Sequence, residues 1–414
     1  MPELPRDNMI VGLDIGTTKV VVVVAEVNSE GRLDIVGLGE TSSGGLRKGI
    51  IIDIENTARA IEKAVEQAER MSGLKINSAF VGLTGPHIQS INNKGVVAVA
   101  GEEGEITPED VQRVLQAARV IPLTAERRVI HVLPRQYIVD GYDGITDPVG
   151  MSGSRLEVET QIVTAAGAVV QNTLKSVQRA NLTVDELVLN PLASAEAVLQ
   201  QAEKELGAVV IDIGGGTTEI AIIYQGSLWF AAVLPVGSEH ITGDLAVGLR
   251  TPILQAEGIK KEHGCVFAGL IDNDEQFIEV PPVGGKEKRR VSLKTLATII
   301  EPRVEEIFTL ALQKINAADP QTLLPGGVIL TGGGALLKGM TQLSSEVLGM
   351  PVRLGVPEGN GGLADMVANP AYATAVGLLR YGANRLAYSQ AAAGQEAIWA
   401  GFWQRLKNWW RELF

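Results

Sequence analysis

The sequence predicts an α/β protein of duplicated, bilobed design with a smaller α+β subdomain inserted in its first half. Three observations carry that reading. The chain has 414 residues, more than one hydrophobic core of ordinary size organises. Two β-turn-β segments, beginning at Val11 and Val210, share the pattern apolar-Asp-Ile-Gly, then Thr-Thr, then an apolar strand, a repeat at about half the chain length. Between them, the stretch from about 86 to 164 loses this character.

Met9 to Val27 is β-rich on both sides of a tight Gly-Thr-Thr turn and predicts a hairpin buried on both faces. Arg32 to Glu40 is the next strand. From Asn56 to Met71, the residues Ala58, Ile61, Ala64, Val65 and Ala68 recur at helical spacing between charges, which gives a helix covering the sheet. In the inserted stretch Gly95–Ala100, Arg128–Val132 and Gln136–Val139 read as strands. Thr107-Pro108-Glu109-Asp110 reads as a helix start, with a hydroxyl cap, a proline at the first helical position and acids that complement the dipole. A helix over Ala168–Ala180 and a strand over Glu186–Leu189 lead into the second hairpin, Ala208–Tyr224. A third glycine run, Val328–Met340, has a strand before it and a helix after it. Ala383–Gly394 turns small and polar, as a linker does, and a short aromatic-rich tail follows.

Composition removes several function classes. The net charge of −12 opposes a polyanion over the whole surface, which argues against nucleic acid. The single cysteine, Cys265, has no internal partner and reads as a small buried apolar group. The start MPELPRDNM lacks the apolar core of a signal peptide, so the cytoplasm is the expected compartment. No apolar run approaches the roughly 18 residues of a spanning helix. His87, His131, His240 and His263 show no ligand spacing and read as structural.

The glycine loops carry the chemistry. A phosphate chain needs backbone N–H groups at close approach, which glycine permits. Asp14-Ile-Gly16-Thr17-Thr18 and Asp212-Ile-Gly214-Gly215-Gly216-Thr217-Thr218 supply such turns directly after buried strands, and Lys19 adds a cation. Each loop also sets an aspartate at a strand end, where it can hold Mg²⁺ through that ion's waters. Neither the P-loop pattern nor the dinucleotide fingerprint is present.

These loops, in this order with the third glycine run, resemble those of the actin-like (ribonuclease H-like) ATPases. The resemblance implies two lobes around a nucleotide cleft, with ATP and Mg²⁺ as cofactors. It assigns Asp14 to Lys19 and Asp212 to Thr218 to the phosphates, and Gly332, Gly333, Gly334 and Leu336 to the adenosine. It makes Asn190-Pro-Leu-Ala and Tyr372-Ala-Thr-Ala the two connecting helices. Glu257 and Lys260 match the helix that frames ribose and base. Where several relatives carry Glu or Gln to position the attacking water, this chain has Asn190. Hydrolysis is therefore expected to be slow, with Asn190, or Asp212 through a water, as the catalytic candidates.

Within that superfamily the chain resembles the bacterial cell-division FtsA family, through Gly12-Leu-Asp-Ile-Gly-Thr-Thr-Lys19, the insertion, Ala256-Glu-Gly-Ile-Lys-Lys-Glu-His-Gly-Cys265, Val280-Pro-Pro-Val-Gly-Gly285, Ile300-Glu-Pro-Arg303 and the tryptophan-rich tail. The resemblance implies filaments on the inner face of the cytoplasmic membrane at the division site. Those filaments would tether FtsZ and meet other division proteins. It divides the chain into a first large subdomain (1–85, 165–206, 370–384), the insertion (86–164), a second large subdomain (207–243, 305–369), a small subdomain (244–304), a linker (385–396) and a membrane-targeting helix (397–414). It points to the helix over about Leu296–Leu312 for the FtsZ C-terminal peptide, with Lys294, Arg303 and Glu306 as contacts. The basic stretch Lys286–Arg290 reads as a solvated loop.

On a helical projection the tail places Trp399, Phe402, Trp403, Leu406, Trp409, Trp410, Leu413 and Phe414 within an arc of roughly 140°. Arg405, Lys407 and Arg411 lie on the other side, suited to anionic lipid, and four of the five tryptophans of the chain are in this segment. An in-plane membrane anchor is expected. Another actin-like cytoskeletal or pilus-assembly scaffold, or a small-molecule kinase of the same fold, is the alternative reading.

Overall fold

Val20 to Ala25 have no exposed surface at all, so the strand that holds them, Lys19–Val27, lies in the middle of a sheet and not at its edge. The structure is a computed structural model that describes residues 8–28, 31–100, 104–271, 276–285, 287–318 and 324–387. In the first half the strands run in the order Thr183–Leu189, Ser78–Leu83, Met9–Ile15, Lys19–Val27, Leu33–Ser42, Gly361–Gly362. In the second the order is Val352–Leu354, Val328–Thr331, Ala208–Ile213, Thr218–Tyr224, Ser227–Leu234. Each sheet is thus an antiparallel three-strand meander extended by strands parallel to its first member. The repeat seen in the sequence is a repeat of topology.

Helix Ile54–Ser72 covers the first sheet, capped by Asp53 and ended by Gly73 in the left-handed region. It sits close because Gly39 leaves room; a Cβ there would lie 1.8 Å from the Ala64 carbonyl oxygen. Two helices join the halves, Asn190–Val198 and a helix over 373–387. They are lined with small buried residues, among them Ala193, Ala197, Ala373 and Ala375, and one core runs past them from Val23 of the first sheet to Val210 of the second. At their crossing a Cβ on Gly377 would lie 1.7 Å from the Ala193 carbonyl oxygen.

The insertion is a four-stranded antiparallel sheet, Gln89–Ala98, Arg155–Ala166, Arg127–Val139, Tyr142–Ile145, with helix Pro108–Arg119 packed on it. The expected cap is present: the Thr107 hydroxyl accepts from the Asp110 amide while Asp110 accepts from the Thr107 amide. One expectation is corrected. Arg128–Val132 and Gln136–Val139 are one strand, because the ladder passes Pro134, which has no N–H to give, by a register shift at Arg135. The bulge aims Arg135 at the second half, where its guanidinium lies 3.7 Å over the Trp229 ring.

Other differences concern boundaries. Helix Leu293–Ala317 runs unbroken across residue 304, where the sequence reading divided small from large subdomain. Gly361–Gly362, assigned to the second half, pairs with Asp34–Ile35 of the first sheet. Arg289 and Arg290, read as loop, begin a strand paired with Phe277–Val280, and Arg289 donates to the Leu249 carbonyl. The small polar stretch starting at Ala383 is helical through residue 387, since Ala383 and Leu386 pack on the core. The remaining linker and the whole membrane-tail assignment lie outside the described residues.

The helix crossing yields a test. Gly377→Ala should destabilise the protein by about 1–3 kcal/mol through overpacking, seen as a lower melting temperature. Gly243→Ala, where a Cβ meets nothing within 4 Å, should not.

Candidate functional site

Both hairpins close with the same bond: Gly16 N–H donates to the Lys19 carbonyl at 2.9 Å, and Gly214 N–H donates to the Thr217 carbonyl at 2.9 Å. The two turns face each other across a cleft of about 460 Å³. Their contact is close, since a Cβ on Gly215 would lie 2.4 Å from the Thr18 methyl and one on Gly216 2.6 Å from the Thr17 hydroxyl. Helix Ser238–Gly248 fixes the second turn, because the Ser238 and Glu239 amides donate to the Gly214 and Gly215 carbonyls, each at 2.9 Å. The third glycine run seals the floor. Gly332 has φ +85°, and a side chain there would strike the Asp212 carboxylate at 2.2 Å.

Most of the expected nucleotide residues line this cleft. Asp14, Gly16, Thr17, Thr18 and Lys19 come from the first turn, and Gly214, Gly215 and Thr217 from the second. Glu257 and Lys260 come from helix Ile253–His263, and Gly332, Gly333, Gly334 and Leu336 from the third run. Gly216 and Thr218 do not reach it. Gly216 is buried against Thr17, and the Thr218 hydroxyl is spent on the Val236 carbonyl at 2.8 Å. Lys260 is only 5% exposed, paired with Glu257 at 2.7 Å and donating to the Thr242 hydroxyl at 2.8 Å. In this arrangement it orients Glu257. Lys19 pairs with Glu40 at 3.0 Å and lies 4.0 Å over the Tyr372 ring.

The cleft concentrates acid. Asp14 is partly exposed to the cleft yet deep in the protein, and burial, then Asp212, push its pKa up to about 7 against the pull of Lys19 and Asn190. Burial also raises Asp212, although the Ser194 hydroxyl donates to it at 2.6 Å and that of Thr374 at 3.3 Å. Glu219 is raised well above the usual range by burial and then by Asp212 and Asp14. Asn190 is 4% exposed and its amide turns to Asp14.

Sequence reasoning missed Glu219, Thr84, Ser194 and Thr374. Ser194 had a visible signal, standing four residues after Asn190 on the same helix face. Glu219, Thr84 and Thr374 come from a strand, a loop and the opposite helix, with no local signal.

Two of the histidines accept from backbone amides. His131 accepts from the Leu189 amide at 3.0 Å and is pushed down to about 4 by burial, and His240 accepts from the Gly237 amide at 3.2 Å. Arg303 and Glu306 lie away from the cleft lining and pair with each other, and Arg303 also clasps Asp244 at 2.6 and 3.1 Å.

The acidic floor has a measurable consequence. Asp14 takes its proton at about 7 in the folded protein and near 3.8 when unperturbed, so between those values the folded state holds a proton that the unfolded chain has released. Stability then falls as pH rises from about 4 to 7 and levels off above. Asp212 and Glu219, raised too, act in the same direction. The nucleotide-free protein should melt higher at pH 5 than at pH 8, and Asp14→Asn should shrink that difference. An equal or larger difference in the variant would count against the carboxyl cluster as its source.

The family model "Cell division protein FtsA" matches residues 209–377, and the model "SHS2 domain inserted in FTSA" matches residues 85–164. The cell division protein FtsA of Pseudomonas aeruginosa is 43% identical over 99% of this chain and 99% of its own. That of Escherichia coli strain K12 is 37% identical over 98% of each, and that of Bacillus subtilis 42% identical over 91% of this chain and 84% of its own. Among solved structures, a PilM-PilN type IV pilus biogenesis complex matches with TM-score 0.65 at 18% identity, covering 90% of this chain and 98% of that one. MreB5 of Spiroplasma citri bound to ADP matches with TM-score 0.52 at 15% identity, covering 90% and 95%. These structures share the actin-like fold, and the near-full-length relatives decide the rest: the chain belongs to the cell division protein FtsA family.

Proposed function

We propose that this cell-division protein binds ATP with Mg²⁺ between its two hairpins, polymerises on the inner face of the cytoplasmic membrane, and tethers FtsZ filaments there while the septum assembles. The observation that carries the reading is the pair of identically closed turns, which set Asp14 and Asp212 on either side of one cleft in a chain of this family.

The donor set fits a hydrated cation. Asp14, Asp212 and Glu219 crowd negative charge that a divalent ion relieves, while among the described residues no three acidic, histidine or cysteine side chains converge tightly enough to ligate a bare ion. Mg²⁺ keeps most of its waters, so Asp14 and Asp212 would hold it through them. It would neutralise the phosphate charge. With the Gly16 and Gly214 N–H groups spent on closing the turns, the amides of Thr17, Thr18 and Gly215 would take the phosphates. Gly332, Gly333, Gly334 and Leu336 would seat the adenosine, and Glu257 would accept from the ribose hydroxyls with Lys260 holding it in place.

FtsZ docking is assigned to helix Leu293–Ala317 with Lys294, Arg303 and Glu306. An arriving acidic peptide would compete with Asp244 for Arg303. The insertion, without catalytic residues of its own, is assigned to contacts between protomers, and residues 397–414 to the membrane, with the filament multiplying a weak single anchor.

Liposome co-sedimentation tests the tether. The parent chain should pellet with anionic vesicles and carry FtsZ with it, whereas Trp403→Glu with Trp410→Glu should stay in solution and still bind ATP by calorimetry. A double variant that pellets normally would move the anchor elsewhere. Arg303→Glu should weaken capture of the FtsZ C-terminal peptide, and unchanged affinity would move that site.

A further inference from the structure

Among the described residues three lysines line the cleft, and they are held differently. Lys260 and Lys261, on helix Ile253–His263, both pair with Glu257, at 2.7 and 3.5 Å. Lys19 closes the first hairpin instead, and its ammonium is held by the Glu40 carboxylate at 3.0 Å and by the face of Tyr372, 4.0 Å from the ring centroid. Glu40 also lines the cleft, whereas Tyr372 stands behind the pair, immediately before the second connecting helix. We propose that Glu40 competes with the bound nucleotide for Lys19: in the empty cleft Glu40 and Tyr372 keep the ammonium, and a polyphosphate must take it from them, so that Glu40 sets how tightly the cleft holds its ligand. The proposal rests on the ATP reading of the cleft.

Register places the pair. Lys19 is paired with Ser42 and Val21 with Glu40, so Lys19 and Glu40 are diagonal neighbours on one face of the sheet, within reach of long side chains. That face packs toward the second connecting helix, since Val21 shares its core with Ala373. The side chains of Lys19 and Glu40 are 24% and 42% exposed, and an ion pair so open to water adds little to the fold. It is easily exchanged. The ammonium is close enough to Asp14 and Asp212 for its charge to draw both carboxyls down against burial, so a small turn of its flexible stem brings it to a phosphate held between the two hairpins. Glu40 is not stranded by the exchange. It keeps water on its open side and the Tyr372 hydroxyl as a donor; burial and that bond push the tyrosine up to about 12.

The duplication shows that the fold itself does not require this pair. The hairpin-closing bond that falls on the Lys19 carbonyl in the first half falls on the Thr217 carbonyl in the second. The strand position opposite Val21 is held by Glu40, and the matching position opposite Glu219 is held by Val233. Threonine and valine thus fill the places of the lysine and the glutamate. A carboxylate beside the hairpin lysine opposes every anionic ligand, by occupying the cation and by repulsion. The result is a cleft that admits a polyphosphate and also lets it go.

The test is a double-mutant cycle on ATP affinity, read by calorimetry with Mg²⁺, using Glu40→Gln, Lys19→Met and the two together. Glu40→Gln should tighten ATP binding by about threefold to tenfold, because the amide gives up Lys19 and carries no charge. Lys19→Met should weaken it, and in that background Glu40→Gln should change affinity by less than about twofold. Tyr372→Phe keeps the ring beside the ammonium but takes the hydroxyl from Glu40, which then holds Lys19 harder, so ATP should bind about twofold to threefold more weakly. A merely structural pair would not give opposite signs for Glu40→Gln and Tyr372→Phe. Unchanged or weaker binding by Glu40→Gln would overturn the proposal. Equal tightening with and without Lys19 would overturn it as well, since Glu40 would then act by repulsion alone. With tight ATP binding by the parent, either result leaves the ATP reading standing; a parent that ignores ATP would refute both.

Discussion

Asp14 and Asp212 are held deep in one cleft, close enough that the charge of one raises the pKa of the other. Carboxylates so placed repel, and the low polarity around them strengthens the repulsion. Much of the surrounding structure acts to hold them there. Ser194 and Thr374, one from each connecting helix, both donate to Asp212, and Lys19 brings the nearest positive charge. Position 332 requires glycine, because its φ is +85° and any side chain would collide with the Asp212 carboxylate. The cleft thus concentrates negative charge that the surrounding donors only partly offset.

The frame that keeps the aspartates apart by a fixed distance is built from small residues. Gly377 against Ala193, and Gly39 against Ala64, bring helix backbones to near-contact with their neighbours. Close-packed interiors transmit displacement because they have no slack to absorb it. The strand that carries Glu219 pairs with Ser227–Leu234, and that strand meets the insertion through Ser90, which donates to the Ala231 carbonyl at 3.0 Å, and through Trp229 beneath Arg135. The nucleotide turn and the insertion are thus two ends of one short, rigid path.

Much of this was legible in the sequence because its signals are local. Glycine next to aspartate at the end of an apolar strand specifies a turn and a carboxylate in a few residues, so both hairpins, the third glycine run and most of the cleft lining could be read directly. The helix start at Thr107-Pro108 is equally local, and it formed as read. The duplication was legible for the same reason, as two copies of one short pattern.

What the tertiary structure alone decided is which side chains from distant segments meet. Glu219 looks in the sequence like any strand acid, and only its register opposite Asp212, with Thr84 arriving from the loop after strand Ser78–Leu83, makes it part of the cleft. Lys260 looks like a surface lysine and is buried because Thr242 and Glu257 satisfy its ammonium. The gap read between Val132 and Gln136 disappeared because the strand continues through Pro134 with a register shift at Arg135. In each case at least one deciding partner lies outside the local segment. Sequence pattern fixes what a residue can do, and only packing fixes what it is beside.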